Sequence, residues 1–204
     1  MNELADRIFT RLDICILSKH NHCLCLPGGS PVSMKIDFAT LSLKDALDLA
    51  IFIEEEARER YSEFFDQMSL HHTSEAAKFF GCMVENEAKH EEALKARRLS
   101  LFQDAPRVVK RSMIWDVEAP EYDRARMFMS ARQAMGVALE CEIKAHDFFA
   151  SAMPHLKDPE VRELFEELRE EELQHQELVR KELEKLPPEP AISDEDFADE
   201  PNPQ

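Results

Sequence analysis

Residues 83–94 read MVENEAKHEEAL, and residues 168–179 read LREEELQHQELV. In both stretches apolar residues recur every three or four positions, which is the period of a helix with one buried face. A Glu-x-x-His pair lies on that face in each stretch: Glu87 with His90, and Glu172 with His175. Because residues three apart share a helix face, the two side chains of each pair can reach the same point. Two matching pairs predict a helical protein with a doubled polar site in its core.

The repeat extends to the helical segment that precedes each pair. A lone glutamate interrupts the apolar stripe of that segment, Glu54 before the first pair and Glu142 before the second. Glu142 follows Glu54 by 88 positions, and His175 follows His90 by 85. These near-equal offsets indicate two helical hairpins related by a pseudo-two-fold axis.

Four helices are expected, over about residues 42–69, 73–101, 122–153 and 158–186. Ser42 is the expected N-cap of the first helix, and Asp158 followed by Pro159 is the expected start of the fourth. The connection over 102–121 is too long for a hairpin turn but long enough to run the length of a bundle. The predicted fold is therefore an all-α, ferritin-like four-helix bundle with one long crossover between helices two and three.

The bundle is expected to span residues 34–187. Residues 1–33 are rich in cysteine and carry the turn signal PGGSP at 27–31, so they form an N-terminal extension of uncertain role. A mis-chosen start codon is an alternative explanation for this extension. Residues 188–204 are acidic and rich in proline, which predicts a disordered tail.

The formal net charge of −17 argues against a nucleic-acid partner, because phosphate binding requires a positive surface. Such acidity either concentrates metal cations near the protein or only keeps it soluble. The sequence contains no uncharged apolar run of about 18 residues that would span a membrane. It also contains no clean signal peptide, so we expect a soluble cytoplasmic protein.

Helical phase selects one inward-facing glutamate from each glutamate run, Glu54 from 54–56 and Glu172 from 170–172. Four carboxylates and two imidazoles converging in a core make a site for two divalent metal ions, and the ligand types suit iron, manganese or zinc. Four unpaired buried carboxylates would exhaust a total stability of about 5–15 kcal/mol, so a cation is expected beside them. The alternative is accidental placement of these glutamates on solvent-facing surfaces of a glutamate-rich chain.

The most specific motifs are Glu54-x-x-Ala57-x-x-x-Tyr61 and Glu142-x-x-Ala145-x-x-x-Phe149. Together with the two Glu-x-x-His pairs, they resemble the rubrerythrin branch of the ferritin-like superfamily over about residues 36–186. The resemblance implies that two iron ions react with peroxide or oxygen, a chemistry used against oxidative stress. It implies six ligands: Glu54, Glu87, His90, Glu142, Glu172 and His175.

The sequence differs from the family pattern in two respects. The five cysteines include no Cys-x-x-Cys pair, so the rubredoxin domain of full-length rubrerythrins is not evident. The resemblance then implies an external electron donor, such as a separate rubredoxin-like protein. In addition, Leu139 lies three positions before Glu142, where classical members carry a further glutamate that shifts ligation with oxidation state.

The sequence is compatible with several functions. The leading one is an enzyme, a di-iron oxidoreductase. The alternatives are a ferroxidase for iron storage or delivery, a substrate oxygenase, and a non-catalytic helical interaction protein. Tyr61, two turns after Glu54, either hydrogen-bonds a ligand carboxylate or fills the core. Apolar residues beyond the core stripes, such as Phe52, Phe79 and Phe148, suggest a homodimer or a larger assembly.

Overall fold

The computed structural model describes residues 36–71, 73–114, 117–122, 124–125 and 129–188. It contains four α-helices: α1 (Leu43–Leu70), α2 (Ser74–Phe102), α3 (Ala131–Ala152) and α4 (Pro159–Leu183). Short 3-10 helices cover Arg111–Met113 and Met153–His155, and no strand occurs among the described residues. The predicted all-α bundle is confirmed. The predicted extension over 1–33 and all but the first residue of the predicted tail over 188–204 lie outside the described residues.

Side-chain caps set the starts of two helices where the sequence predicts them. Ser42 Oγ accepts a hydrogen bond from the Asp45 amide at 3.2 Å and begins α1. Asp158 Oδ1 accepts one from the Glu160 amide at 2.9 Å and begins α4. Each acceptor satisfies an amide that has no partner within the helix, which stabilises the helix start by roughly 1 kcal/mol.

The start of α3 differs from the prediction, because the helix begins at Ala131 rather than near residue 122. Ser130 Oγ accepts the Gln133 amide at 3.1 Å, and Gln133 Oε1 accepts the Ser130 amide at 2.9 Å. This reciprocal capping box defines the true helix start. Ala125 and Met129, which precede this start, are buried but not helical, so their apolar character comes from packing of the crossover.

Two apolar clusters fill the bundle, one towards each end. The first joins the N-terminal halves of α1 and α4 to the C-terminal halves of α2 and α3, and the second joins the opposite halves. Helices α1 and α4 are therefore parallel to each other and antiparallel to α2 and α3. Because α2 and α3 run in the same direction, the chain between them must return along the length of the bundle.

The crossover between α2 and α3 makes this return while packed against both clusters. Ile114 and Val117 are buried in the first cluster, and Ala125 and Met129 are buried in the second. Residues 118–120 therefore lie between the clusters, at the middle of the bundle, and they are buried as well.

The aromatic residues that suggested an assembly have other contacts within the chain. Phe79 and Phe148 are buried in the two clusters. Phe52 is half-buried and packs beneath the guanidinium of Arg107, 4.8 Å from the ring centroid. The oligomeric state thus stays a prediction without the support of these side chains. Among the described residues, no helix combines the length and the apolar character that a membrane crossing requires.

Candidate metal centre

The six residues predicted to bind metal lie together between the two apolar clusters. They form two groups, which we call half-site one and half-site two. Within each group, one potential ligand atom from every residue lies within 4.8 Å of the others. Half-site one consists of Glu54, Glu87 and His90, and half-site two of Glu142, Glu172 and His175.

The two half-sites face each other through their histidines. His90 Nδ1 lies 3.7 Å from Glu54 Oε2 and 3.8 Å from Glu87 Oε2. The rings of His90 and His175 stack with centroids 5.0 Å apart and an interplanar angle of 6°. The pseudo-two-fold relation expected from the sequence thus appears as two similar clusters in contact.

The histidine of half-site two lies closer to its glutamates than the histidine of half-site one does. His175 Nδ1 lies 3.1 Å from Glu142 Oε2 and 3.7 Å from Glu172 Oε2. Gln176, which is buried, donates from Nε2 to the backbone carbonyl of Glu142 at 3.1 Å. This contact holds α4 against α3 at the level of the site. Gln176 lies next to His175 on α4 and was not predicted from the sequence.

Burial dominates the electrostatics of the site. The four glutamates are each no more than 5% exposed. Glu54 Oε2 and Glu172 Oε2 have no hydrogen-bond partner among the described residues. Leaving a buried oxygen without a partner costs about 1–3 kcal/mol, and more when the oxygen is charged. These two orphaned oxygens fit a site built for cations, because a metal ion would supply the missing partner.

The pKa values of three site carboxyls are raised. Burial raises the pKa of Glu54 to about 7. Burial also raises the pKa of Glu87 well above its usual value, and the charge of Glu54 adds to this effect. The pKa of Glu172 is raised in the same direction, chiefly by burial. Without a metal ion, the site therefore favours protonated carboxylic acids.

The pKa values of the fourth carboxyl and of the two histidines differ between the two half-sites. Burial acts to raise the pKa of Glu142, but the charge and hydrogen bond of His175 outweigh it and hold that pKa below its usual value. Burial acts to lower the pKa of His175, yet the charge of Glu142 raises it well above its usual value. The pKa of His90 is lowered by burial. Half-site two thus carries an internal ion pair, whereas His90 tends to be neutral.

A fifth carboxylate at the site was missed by sequence reasoning. Glu118, from the crossover, is buried and forms a third group with Glu87 and Glu142 in which potential ligand atoms lie within 4.8 Å of one another. Burial raises the pKa of Glu118 well above its usual value, and the charges of Glu87 and Glu54 add to the effect. The crossover has no helical period, so no phase argument could have placed this side chain.

Three further glutamates and Tyr61 lie outside the three groups of potential ligands. Glu170 and Glu171 are exposed, as helical phase predicts, whereas Glu56 is buried without belonging to the three groups. Tyr61 is fully buried and stacks on Phe80 with centroids 6.1 Å apart. Its hydroxyl has no hydrogen-bond partner among the described residues, so its predicted bond to a ligand carboxylate stays a prediction.

A cavity of about 170 Å³ reaches the site from the outside. Glu54 and His90 form its inner end, and leucine and alanine side chains of α2 and α4 form part of its wall. Arg97 and Glu167, an ion pair at 2.6 Å, also line it. Pockets for drug-sized ligands usually measure about 300–1,000 Å³, so this cavity suits a small molecule.

The fold and the site together define a ferritin-like bundle with two carboxylate–histidine groups suited to hard first-row metal ions. The sequence model of the Rubrerythrin family matches residues 45–183, with a second match over 133–198. The chain belongs to the rubrerythrin family.

A solved structure is similar to this chain over most of its length. It is an uncharacterized conserved protein from Magnetospirillum magnetotacticum, with 28% sequence identity and a TM-score of 0.56. The similarity covers 75% of this chain and 100% of the other. No curated protein matches the chain.

Proposed function

We propose that this protein binds two iron ions at the paired half-sites and acts as a di-iron oxidoreductase that reduces peroxide or oxygen. The observation that carries this proposal is the pair of Glu–Glu–His groups, each with a buried glutamate oxygen that accepts no hydrogen bond from the described residues. Manganese or zinc could occupy the same ligands, because both accept carboxylate and imidazole donors.

Charge balance supports two divalent ions rather than one. Four ionised glutamates at the half-sites carry four negative charges, and two divalent cations neutralise them. One divalent ion would leave two negative charges in a region that excludes water, where an uncompensated charge costs several kcal/mol. The energetics of burial therefore favour full occupancy.

The chain's own residues hold the centre rigidly. The six proposed ligands lie on the middle of four packed helices, and Gln176 fixes α4 against the α3 backbone at Glu142. A pair of ferrous ions would supply the two electrons that reduction of a peroxide bond requires. The small cavity ending at His90 and Glu54 favours hydrogen peroxide or oxygen over a bulky organic substrate. Continued turnover would require an external electron donor, such as a rubredoxin-like protein.

The test compares metal content and peroxide turnover of the intact chain with those of His90→Ala and His175→Ala. We expect about two iron ions per chain and peroxide reduction with an added electron donor. Each variant should lose at least about 10-fold in iron affinity and lose turnover, because a ligand is removed. His146→Ala is the matched control, since His146 is a partly buried histidine of α3 that pairs with Asp147 outside the half-sites.

Full iron content and activity in either variant would contradict the assignment. Repeated additions of peroxide distinguish the two iron chemistries. Iron that stays bound through many turnovers supports peroxide reduction, and iron that leaves as oxidised product supports a ferroxidase.

A further inference from the structure

Glu118 precedes two crossover residues whose backbone carbonyls are hydrogen-bonded to helices of the bundle. The carbonyl of Ala119, the next residue, accepts a hydrogen bond from Lys144 Nζ of α3 at 3.0 Å. The carbonyl of Pro120 accepts one from the guanidinium of Arg60 in α1. The crossover backbone is therefore fastened to two different helices immediately beside Glu118.

The carboxylate of Glu118 lies among the potential metal ligands, and one of its oxygens is orphaned within the described part of the chain. Its side chain is only 3% exposed, and Oε2 has no hydrogen-bond partner among the described residues. Its nearest potential co-ligands are Glu87 of half-site one and Glu142 of half-site two. Glu118 thus lies within reach of a carboxylate from each half-site, besides the contact that His90 and His175 make between them.

We propose that Glu118 is a seventh metal ligand, supplied by the crossover and shared between the two half-sites. This inference rests on the proposed function, since it assumes that the half-sites bind metal. A fifth carboxylate changes the charge of the centre from neutral to −1 with two divalent ions. With two trivalent ions the charge becomes +1 rather than +2. Glu118 therefore stabilises the oxidised metal pair relative to the reduced pair.

A seventh oxygen donor also discriminates between metals. Manganese and iron accept additional carboxylate oxygens readily, whereas zinc in proteins is usually four-coordinate. Glu118 should therefore contribute more to the binding of Mn²⁺ than to that of Zn²⁺. A carboxylic acid that only fills space at this position would show no such preference.

The experiment measures Mn²⁺ and Zn²⁺ affinities of metal-free protein by competition with a chromophoric chelator. We expect Glu118→Gln to weaken Mn²⁺ binding by about 10-fold or more, with a smaller effect on Zn²⁺. In iron-loaded protein the same change should raise the reduction potential. Glu182→Gln is the control, because Glu182 is also a buried glutamate whose Oε2 accepts no hydrogen bond within the described part of the chain. Its Oε1 pairs with Lys185, and it lies two turns beyond His175, outside the three groups.

Misfolding is tested separately by thermal unfolding of the metal-free variant. Glutamine has nearly the size of glutamate and carries no charge, so metal-free Glu118→Gln should melt no lower than the parent. Unchanged Mn²⁺ affinity and potential in Glu118→Gln, with loss of binding in His175→Ala, would overturn the role of Glu118 and leave the proposed function intact. A parent protein that binds no metal would overturn both.

Discussion

At the scale of the residue, the site concentrates ionisable groups that destabilise the chain when no metal is bound. Glu54 and Glu172 each place in the core an oxygen to which none of the described residues donates a hydrogen bond. If both residues bind metal as proposed, their effects on metal binding and on the stability of the metal-free protein oppose each other. A metal ligand is expected to stabilise the metal-bound protein and to destabilise the metal-free protein. A residue that only packs the core would not show this opposition.

The variant Glu54→Gln tests this opposition. At pH 8 it should raise the free energy of unfolding of the metal-free protein by about 1–3 kcal/mol, because it removes a buried carboxylate whose pKa is raised. The same variant should weaken metal binding. Urea unfolding in the presence of a chelator measures the first effect, and metal titration measures the second.

A surface glutamate supplies the control for this measurement. Glu59 is exposed and pairs with Arg111 at 2.6 Å, which lowers the pKa of Glu59. Glu59→Gln should therefore leave stability unchanged or lower it by less than about 1 kcal/mol. If Glu54→Gln behaves like Glu59→Gln, the Glu54 carboxylate is not the buried charge described above.

At the scale of the element, the sequence predicted the start of a helix correctly where a capping residue directly precedes the apolar residues of that helix. Ser42 and Asp158 are such cases. The start of α3 was misplaced because apolar residues of the crossover pack against the core without forming a helix. The spacing of apolar residues indicates that a segment is buried on one side. Over a stretch as short as one helical turn, it does not distinguish a helix from a loop that packs against the core.

The N-cap of α3 gives a prediction at this scale. Ser130→Ala should lower the free energy of unfolding by about 1 kcal/mol, because the Gln133 amide loses its acceptor. Ser130→Asn should retain most of that stability, since its side-chain oxygen can accept the same bond. Chemical denaturation of both variants tests the assignment, and equal losses would place the helix start elsewhere.

The end of α4 shows a second contact that periodicity does not reveal. Arg132 of α3 donates to the carbonyls of Leu183, Leu186 and Pro187, at 2.6–2.7 Å. This guanidinium satisfies carbonyl groups at the end of α4 and beyond it. The sequence could predict that the helix ends before Pro187, but the donor lies more than 50 residues away and is found only from the folded chain.

At the scale of the whole molecule, the paired Glu-x-x-His repeat predicted the fold and the six clustered residues, because both follow from helical phase. Glu118 could not be predicted in the same way. Its place depends on the path of the crossover, which is determined by tertiary contacts of Arg60 and Lys144 rather than by a local pattern.

The metal-free protein should lose stability as the pH rises from about 5 to 8. The pKa values of Glu54, Glu87 and Glu172 are raised in the folded state, so the folded protein binds more protons than the unfolded chain in this range. Raising the pH then favours unfolding. The raised pKa of His175 acts in the same direction, whereas the lowered pKa of His90 opposes it.

Bound metal should reverse this trend, because ligand carboxylates must lose their protons before they bind. The difference in melting temperature between metal-loaded and metal-free protein should therefore widen from pH 5 to pH 8. Circular dichroism melting curves with and without a chelator measure it. A constant difference across this range would contradict the proposed ligands.

The two half-sites belong to different hairpins, since half-site one lies on α1 and α2 and half-site two on α3 and α4. Each hairpin packs more extensively within itself than against the other, so the boundary between hairpins is where the bundle separates most readily. Two ions at the facing half-sites, with a carboxylate such as that of Glu118 shared between them, would therefore link chain segments nearly 90 residues apart. Removing the ions should then weaken the contact between the hairpins more than the packing within each hairpin.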